Sequence, residues 1–167
     1  MSSNPTELLA MLETHGGELH ALLTRLTLRA TVAEDLLQEL FLKLRGSPGF
    51  AKATNRKAYL FQSAINLAFD WRRAQRLTTE TLVTEPPGPT ESPLERMIDA
   101  EQMEHVVDAM QHLSELSRQV IVLHYLQQKD YAEIAPQLGK TEHQVRGICH
   151  KALERLQTLL QPAVKRP

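Results

Sequence analysis

The stretch Tyr131–Leu156, YAEIAPQLGKTEHQVRGICHKALERL, decides the fold of the second half of the chain, and the rest can be read outward from it. Asp130-Tyr131-Ala132-Glu133 places a capping Asp three residues ahead of a Glu, the spacing at which each side chain reaches the other's backbone N–H. Ile134 and Ala135 follow at core-facing positions. Leu138-Gly139 makes the turn, because Gly enters the left-handed conformation without a Cβ clash. Thr141-Glu142-His143-Gln144 then caps a second helix. On it Val145, Ile148, Cys149, Ala152 and Leu156 share one face. Small Ala135 lets the two helices cross closely. This is helix-turn-helix form.

The outer face of the second helix presents His143, Gln144, Gly147, His150 and Lys151, with Arg146 and Arg155 toward its flanks. A helix with such a face can enter a DNA major groove with its N-terminal end toward the bases. Gln144 and Arg146 are of the types that read base edges or bind phosphates. Two residues strain the pattern. Pro136 removes the bond to the Ala132 carbonyl, at about 3 kcal/mol in a regular helix, so a distorted first helix is expected. Gly147 in mid-helix costs roughly 1 kcal/mol relative to Ala.

Upstream, Ser114 can start a helix through Val120, Ile121, Leu123 and Leu126. Before it, Ser92-Pro93-Leu94-Glu95 starts another that runs to about His112, with Met97, Ile98, Met103, Val106, Val107 and Met110 as apolar positions. Residues 78–92, TTETLVTEPPGPTES, carry three prolines, a Gly and no apolar period, and read as a flexible acidic linker. The chain therefore divides into domains at 1–77 and 93–167, each near the size that folds alone.

The first domain is also helical by pattern. Asn4 and Pro5 start a short helix to Glu13. Gly16-Gly17 separates it from a second helix, Glu18 to Arg29, with Leu19, Leu22, Leu23 and Leu26 on one stripe. Thr31-Val32-Ala33-Glu34 is a capping box for a third, carrying Leu36, Leu37, Leu40, Phe41 and Leu44. Gly46-Ser47-Pro48-Gly49 breaks it, and a loop of small and basic residues follows. Asn55 caps the last helix, on which Leu60, Ala64, Leu67, Ala68 and Trp71 line one face. No segment alternates in the manner of a strand. The fold class is all-α.

Composition narrows the chemistry. The 167 residues are 42% hydrophobic but only 5% aromatic, which suits an aliphatic helical core. The single Cys149 excludes an intrachain disulfide and a multi-Cys zinc site. His15-Gly16-Gly17-Glu18-Leu19-His20 lacks the i,i+4 His pair of a helical zinc motif. Neither a phosphate-cradling Gly loop nor a nucleophile elbow occurs, so no enzyme, metal or cofactor is expected. No apolar run approaches the length of a membrane span, and the N-terminus lacks a basic segment ahead of an apolar core; the expectation is a cytoplasmic protein without membrane insertion.

The net charge of −1 conceals a pattern. Between Ala51 and Arg76, six bases stand against Asp70, a net of +5. Between Leu77 and Glu104, seven acids stand against Arg96, a net of −6. Between Gly139 and Pro167, six bases stand against Glu142 and Glu154, a net of +4. Two basic blocks around an acidic middle suggest two contact surfaces for a polyanion. Five of the eight aromatics (Phe50, Tyr59, Phe61, Phe69, Trp71) fall in or beside the first block. Basic residues interleaved with flat side chains suit a single strand with unstacked bases.

Three segments together resemble the extracytoplasmic-function sigma factors of the sigma-70 family. Thr31–Leu44, TVAEDLLQELFLKL, is similar to the family's core-polymerase-binding helix. Tyr59–Arg76 is similar to its promoter −10 segment, with Tyr59 in place of the usual Trp. Leu113–Leu160 is similar to its −35-reading domain. The resemblance implies a protein that binds core RNA polymerase, recognises −35 and −10 elements and helps open the promoter. It implies polymerase contacts at Asp35, Leu36, Gln38, Glu39 and Phe41. It implies melted −10 DNA at Asn55, Arg56, Asn66, Asp70 and Arg73, with Arg72 and Arg76 along phosphates. It implies duplex −35 DNA at His143, Gln144, Arg146, Gly147, His150, Lys151 and Arg155. Ser63 and Ile65 depart from the family pattern and remove one DNA-facing base. The linker would permit an anti-sigma factor as a further partner. A helix-turn-helix repressor or activator that binds duplex DNA directly would explain residues 113–160 but not the first domain; an adaptor that binds polymerase without DNA is the third reading.

Overall fold

The computed structural model describes residues 5–78 and 100–164, and these form helices and the turns between them. Contacts group the chain into two units, Met1–Ser92 and Pro93–Pro167. The linker expected at 78–92 lies outside the described residues apart from Thr78, as do the cap expected at Ser92 and the apolar positions Met97 and Ile98.

In the first unit α1 is one helix, Pro5–Thr27. The break expected at Gly16-Gly17 does not occur. Two mid-helix glycines cost roughly 1 kcal/mol each. Burying one Leu is worth about 1.5–3 kcal/mol, and α1 buries Leu8, Leu19, Leu22, Leu23 and Leu26 completely. Packing outweighs propensity. The helix ends where Thr27 Oγ1 donates to the Leu23 carbonyl at 2.7 Å and accepts from the Arg29 N–H at 3.3 Å. Leu28 then turns the chain with φ 64, a left-handed value uncommon for a non-Gly residue.

This turn also displaces the expected capping box. α2 spans Ala30–Leu44 and is preceded by extended Arg29, without a side-chain cap. Thr31 lies inside the first turn rather than ahead of it. The breaker that follows holds a short helix, α3, Pro48–Lys52, where a loop was expected. Ser47 accepts from the Phe50 N–H at 3.1 Å, Pro48 stands at the first position, and Phe50 is buried. Asn55 does cap α4, Arg56–Thr78, accepting from the Ala58 N–H at 2.9 Å. Leu60, Ala64, Ile65, Ala68 and Phe69 are the fully buried residues of α4, while Trp71 is half-buried.

The second unit contains α5, Ala100–Met110, and α6, Glu115–Ile121, capped by Ser114, which accepts from the Ser117 N–H at 3.2 Å. A π-helical turn, Val122–Leu126, continues α6. Then come α7, Tyr131–Leu138, and α8, Glu142–Val164. The core is Val107, Met110, Val120, Val122, Leu123, Ile134, Val145, Cys149 and Ala152. Asp130 and Glu133 form the expected reciprocal capping box, at 2.8 and 3.1 Å. α7 carries Pro136 and stays helical. It ends two residues later at Leu138 and is capped by Gly139, φ 66, where the Lys140 N–H reaches the Ala135 carbonyl at 2.9 Å.

Candidate nucleic-acid interface

α8 is held by its inner face and its first turn. Val145, Cys149, Ala152 and Leu156 are buried against the unit's core. Thr141 and Gln144 cap each other: the Thr141 N–H donates to Gln144 Oε1 at 2.9 Å, and the Gln144 N–H to Thr141 Oγ1 at 3.1 Å. The expected outer residues His143, Gln144, Arg146, Gly147, His150, Lys151 and Arg155 are all exposed. Capping has a chemical consequence for Gln144. Its amide oxygen is occupied, so it offers outward mainly N–H donors, which suit phosphate or a base-edge acceptor. Bidentate reading of adenine would require that oxygen.

Two outer residues are paired along the helix. Arg146 Nη2 lies 3.4 Å from Glu142 Oε1, and His150 Nε2 lies 3.1 Å from Glu154 Oε1. Both pairs are exposed and so contribute little to stability. Gly147 has open space around it and adds no bulk to the face.

Beneath α8 sits an aromatic group. The His124 ring stacks on Tyr131 with centroids 4.5 Å apart at 15°, and the Arg146 guanidinium lies over the Tyr131 ring at 5.4 Å. Hydrogen bonding with the Cys149 side chain, then burial, pushes the Tyr131 phenol up to about 12, with Arg146 acting the other way. Tyr131 is therefore neutral at physiological pH. Burial first, then Cys149, raises Tyr125 as well.

The candidates on α4 and before it separate into two groups. Asn66, Asp70 and Arg73 lie on one stripe, i, i+4 and i+7. Asp70 and Arg73 are exposed and paired at 3.2 Å; Asn66 is half-buried. Asn55 and Arg56 are tied into the fold. Asn55 caps α4, and Arg56 pairs with Glu7 and donates to the Ala51 carbonyl at 2.9 Å. Arg72 overturns its expectation. It is 3% exposed and donates to the Leu26 carbonyl at 3.3 Å, so it does not lie along an external phosphate. The α4 turn carries it inward, where its guanidinium meets the carbonyl end of α1, a favourable place for a cation. The side chain of Arg76 lies outside the described residues.

On α2, Asp35, Gln38 and Glu39 are exposed on one stripe, as expected. Leu36 is a second correction: it is 4% exposed and belongs to the core, so it is not available to a partner. Phe41 is half-buried. It lines a groove of about 450 Å³ between α1 and α2, with Leu9, Leu12, Gly16, Leu37, Gln38 and Leu42. Leu9 and Leu42 are large apolar side chains left exposed, at 48% and 57%. Sequence reading missed these two and the groove. The signal was present: Leu9, Leu12 and Gly16 fall at i, i+3 and i+7, but only if α1 is continuous.

Residues 11–78 match the family model Sigma-70 region 2, and residues 109–158 match Sigma-70, region 4. Each match falls within one unit. The ECF RNA polymerase sigma factor SigL of Mycobacterium tuberculosis is 32% identical over 155 residues, covering 91% of this chain and 88% of that one. The RNA polymerase sigma-E factor of Streptomyces antibioticus is 32% identical over 130 residues, covering 77% and 71%. The ferric citrate uptake sigma factor FecI of Escherichia coli is 29% identical over 144 residues, covering 84% and 83%. With both sigma-70 regions in order on one chain and relatives matched along most of their length, the chain belongs to the extracytoplasmic-function sigma factors of the sigma-70 family, RNA polymerase sigma factors that recognise promoters for transcription initiation.

Proposed function

We propose a division of labour between the two units. In the second, the outer face of α8 binds a duplex −35 element through His143, Gln144, Arg146, Gly147, His150, Lys151 and Arg155. In the first, Asn66, Asp70 and Arg73 engage the melted −10 strand, and Asn55 and Arg56 shape the turn that leads to it. Asp35, Gln38, Glu39 and Phe41, with the groove beside them, dock on core RNA polymerase. Domain boundaries at 1–77 and 93–167 fit this division. The observation that carries the reading is the sidedness of α8: each expected DNA residue is exposed while Val145, Cys149, Ala152 and Leu156 are buried.

The protein catalyses no reaction of its own in this reading; it positions the polymerase and helps open the duplex. The place of work is the bacterial cytoplasm, where core polymerase and promoter DNA meet. Among the described residues no helix is long and apolar enough to cross a membrane.

The experiment separates two steps. Core binding is measured by titration of purified core polymerase, and promoter opening by permanganate reactivity of unpaired thymines. Arg73→Ala is expected to reduce opening about tenfold with core affinity unchanged. The pair Asp35→Ala and Gln38→Ala is expected to reduce core affinity. Equal loss in both assays for Arg73→Ala, or unchanged core affinity for the α2 pair, contradicts the assignment.

A further inference from the structure

His124, Tyr131 and Arg146 come from three different segments: the π-helical turn, the first residue of α7 and the second turn of α8. They nevertheless meet as a column. The His124 ring is nearly parallel to Tyr131, 4.5 Å away at 15°. The Arg146 guanidinium in turn lies over the Tyr131 ring, 5.4 Å from its centroid. The column is anchored at its imidazole. His124 Nδ1–H donates to the Lys129 carbonyl at 2.8 Å, which fixes the imidazole plane and its tautomer.

Arg146 has reason to need such support. It is exposed, and its ion pair with Glu142 spans 3.4 Å with both side chains more than half exposed. An exposed Arg samples many rotamers, and ordering it on a ligand lowers affinity. A guanidinium resting on an aromatic face is attracted by the ring's quadrupole and keeps its donors at the edge, free to bond elsewhere.

We infer that Tyr131, backed by His124, is a positioning residue that holds the Arg146 guanidinium ready for promoter DNA. The inference rests on the assignment of Arg146 to the −35 interface. It goes beyond that assignment by giving a role in DNA binding to two residues outside α8.

The test uses the full chain in holoenzyme and a promoter fragment selected with it. Affinity is measured for wild type, Tyr131→Phe, Tyr131→Leu, Arg146→Ala and the Tyr131→Leu, Arg146→Ala double variant. NMR of the free full chain reads the ring-current shift of the Arg146 side-chain protons. Tyr131→Leu is expected to weaken binding about two- to five-fold, the size of an exposed cation–π contact. Tyr131→Phe retains wild-type affinity, and Tyr131→Leu adds no further loss once Arg146 is Ala. The upfield shift of Arg146 is present in wild type and Tyr131→Phe and absent in Tyr131→Leu.

Three results overturn the proposal. The first is an Arg146 without a ring-current shift in the wild-type chain, which needs no variant to fold. The second is an equal loss from Tyr131→Leu with and without Arg146, or a Tyr131→Phe as weak as Tyr131→Leu; either marks a general packing role. The third is Arg146→Ala with unchanged affinity. That result removes Arg146 from the interface, and a persisting ring-current shift then shows that the assignment to DNA failed while the column itself exists.

Discussion

Arg72 and Arg73 are neighbours with opposite fates. Arg72 is buried against the Leu26 carbonyl, and Arg73 is exposed beside Asp70. A hydrogen bond from a charged donor is worth about 1.5–3 kcal/mol, and an exposed ion pair typically below 1 kcal/mol. Arg72→Ala is therefore expected to lower the unfolding free energy of the first unit by about 1.5–3 kcal/mol. Arg73→Ala should change it by less than about 0.5 kcal/mol. Trp71 is the chain's only Trp, so its fluorescence reports this unit during denaturant unfolding. Equal effects of the two variants would place Arg72 outside as well. The difference was partly legible: Arg72 lies i+7 from Ile65 and i+4 from Ala68, on the buried stripe, but its charge argued for solvent. Leu36 is the converse case. Its motif suggested contact, while its helical phase with Leu40 and Leu44 placed it inside.

Gly49 is a second residue-scale test. A Cβ there would overlap the Tyr59 hydroxyl. Gly49→Ala is expected to destabilise the first unit by about 1–3 kcal/mol, as overpacking does. In a Tyr59→Phe background, which lacks the hydroxyl, the cost should fall. An unchanged cost in both backgrounds would mean that Tyr59 is not the obstacle.

At the scale of elements, most local chemistry is readable, the Thr31 capping box excepted, and long-range packing is not. Ser114, Asp130, Thr141, Asn55 and Gly139 cap as their sequences suggest, because a cap needs only residues within four of itself. α1 was split wrongly, because the two glycines are local and the leucine stripe that overrides them acts through tertiary burial. Gly17 is exposed, with no atom within 4 Å of an added Cβ. Gly17→Ala should therefore stabilise the first unit by roughly 0.5–1 kcal/mol, measured by the same unfolding assay. A destabilisation would mean that the glycine pair ends a helix. α8 makes the matching prediction for binding. Lys151→Ala should lower −35 affinity and reduce the slope of log K against log salt by about 1, the signature of one lost phosphate contact. An unchanged slope would remove Lys151 from the phosphate track.

For the whole molecule, the two-domain reading follows from a Pro-rich acidic stretch between basic blocks; contacts divide the chain at Ser92 and Pro93, the C-terminal end of that stretch. The sidedness of α8 was legible from helical phase alone. The α1–α2 groove was not, since it requires two helices to pack and α1 to run unbroken through Gly16-Gly17. The central claim is that both halves act together on one promoter with one polymerase. Run-off transcription with purified core bacterial RNA polymerase on a promoter library, with and without this chain, tests it most directly. The account predicts transcripts that share a −35/−10 pair and appear only when the chain is present. A chain that binds a duplex site by itself, fails to bind core polymerase and supports no transcript would contradict the account.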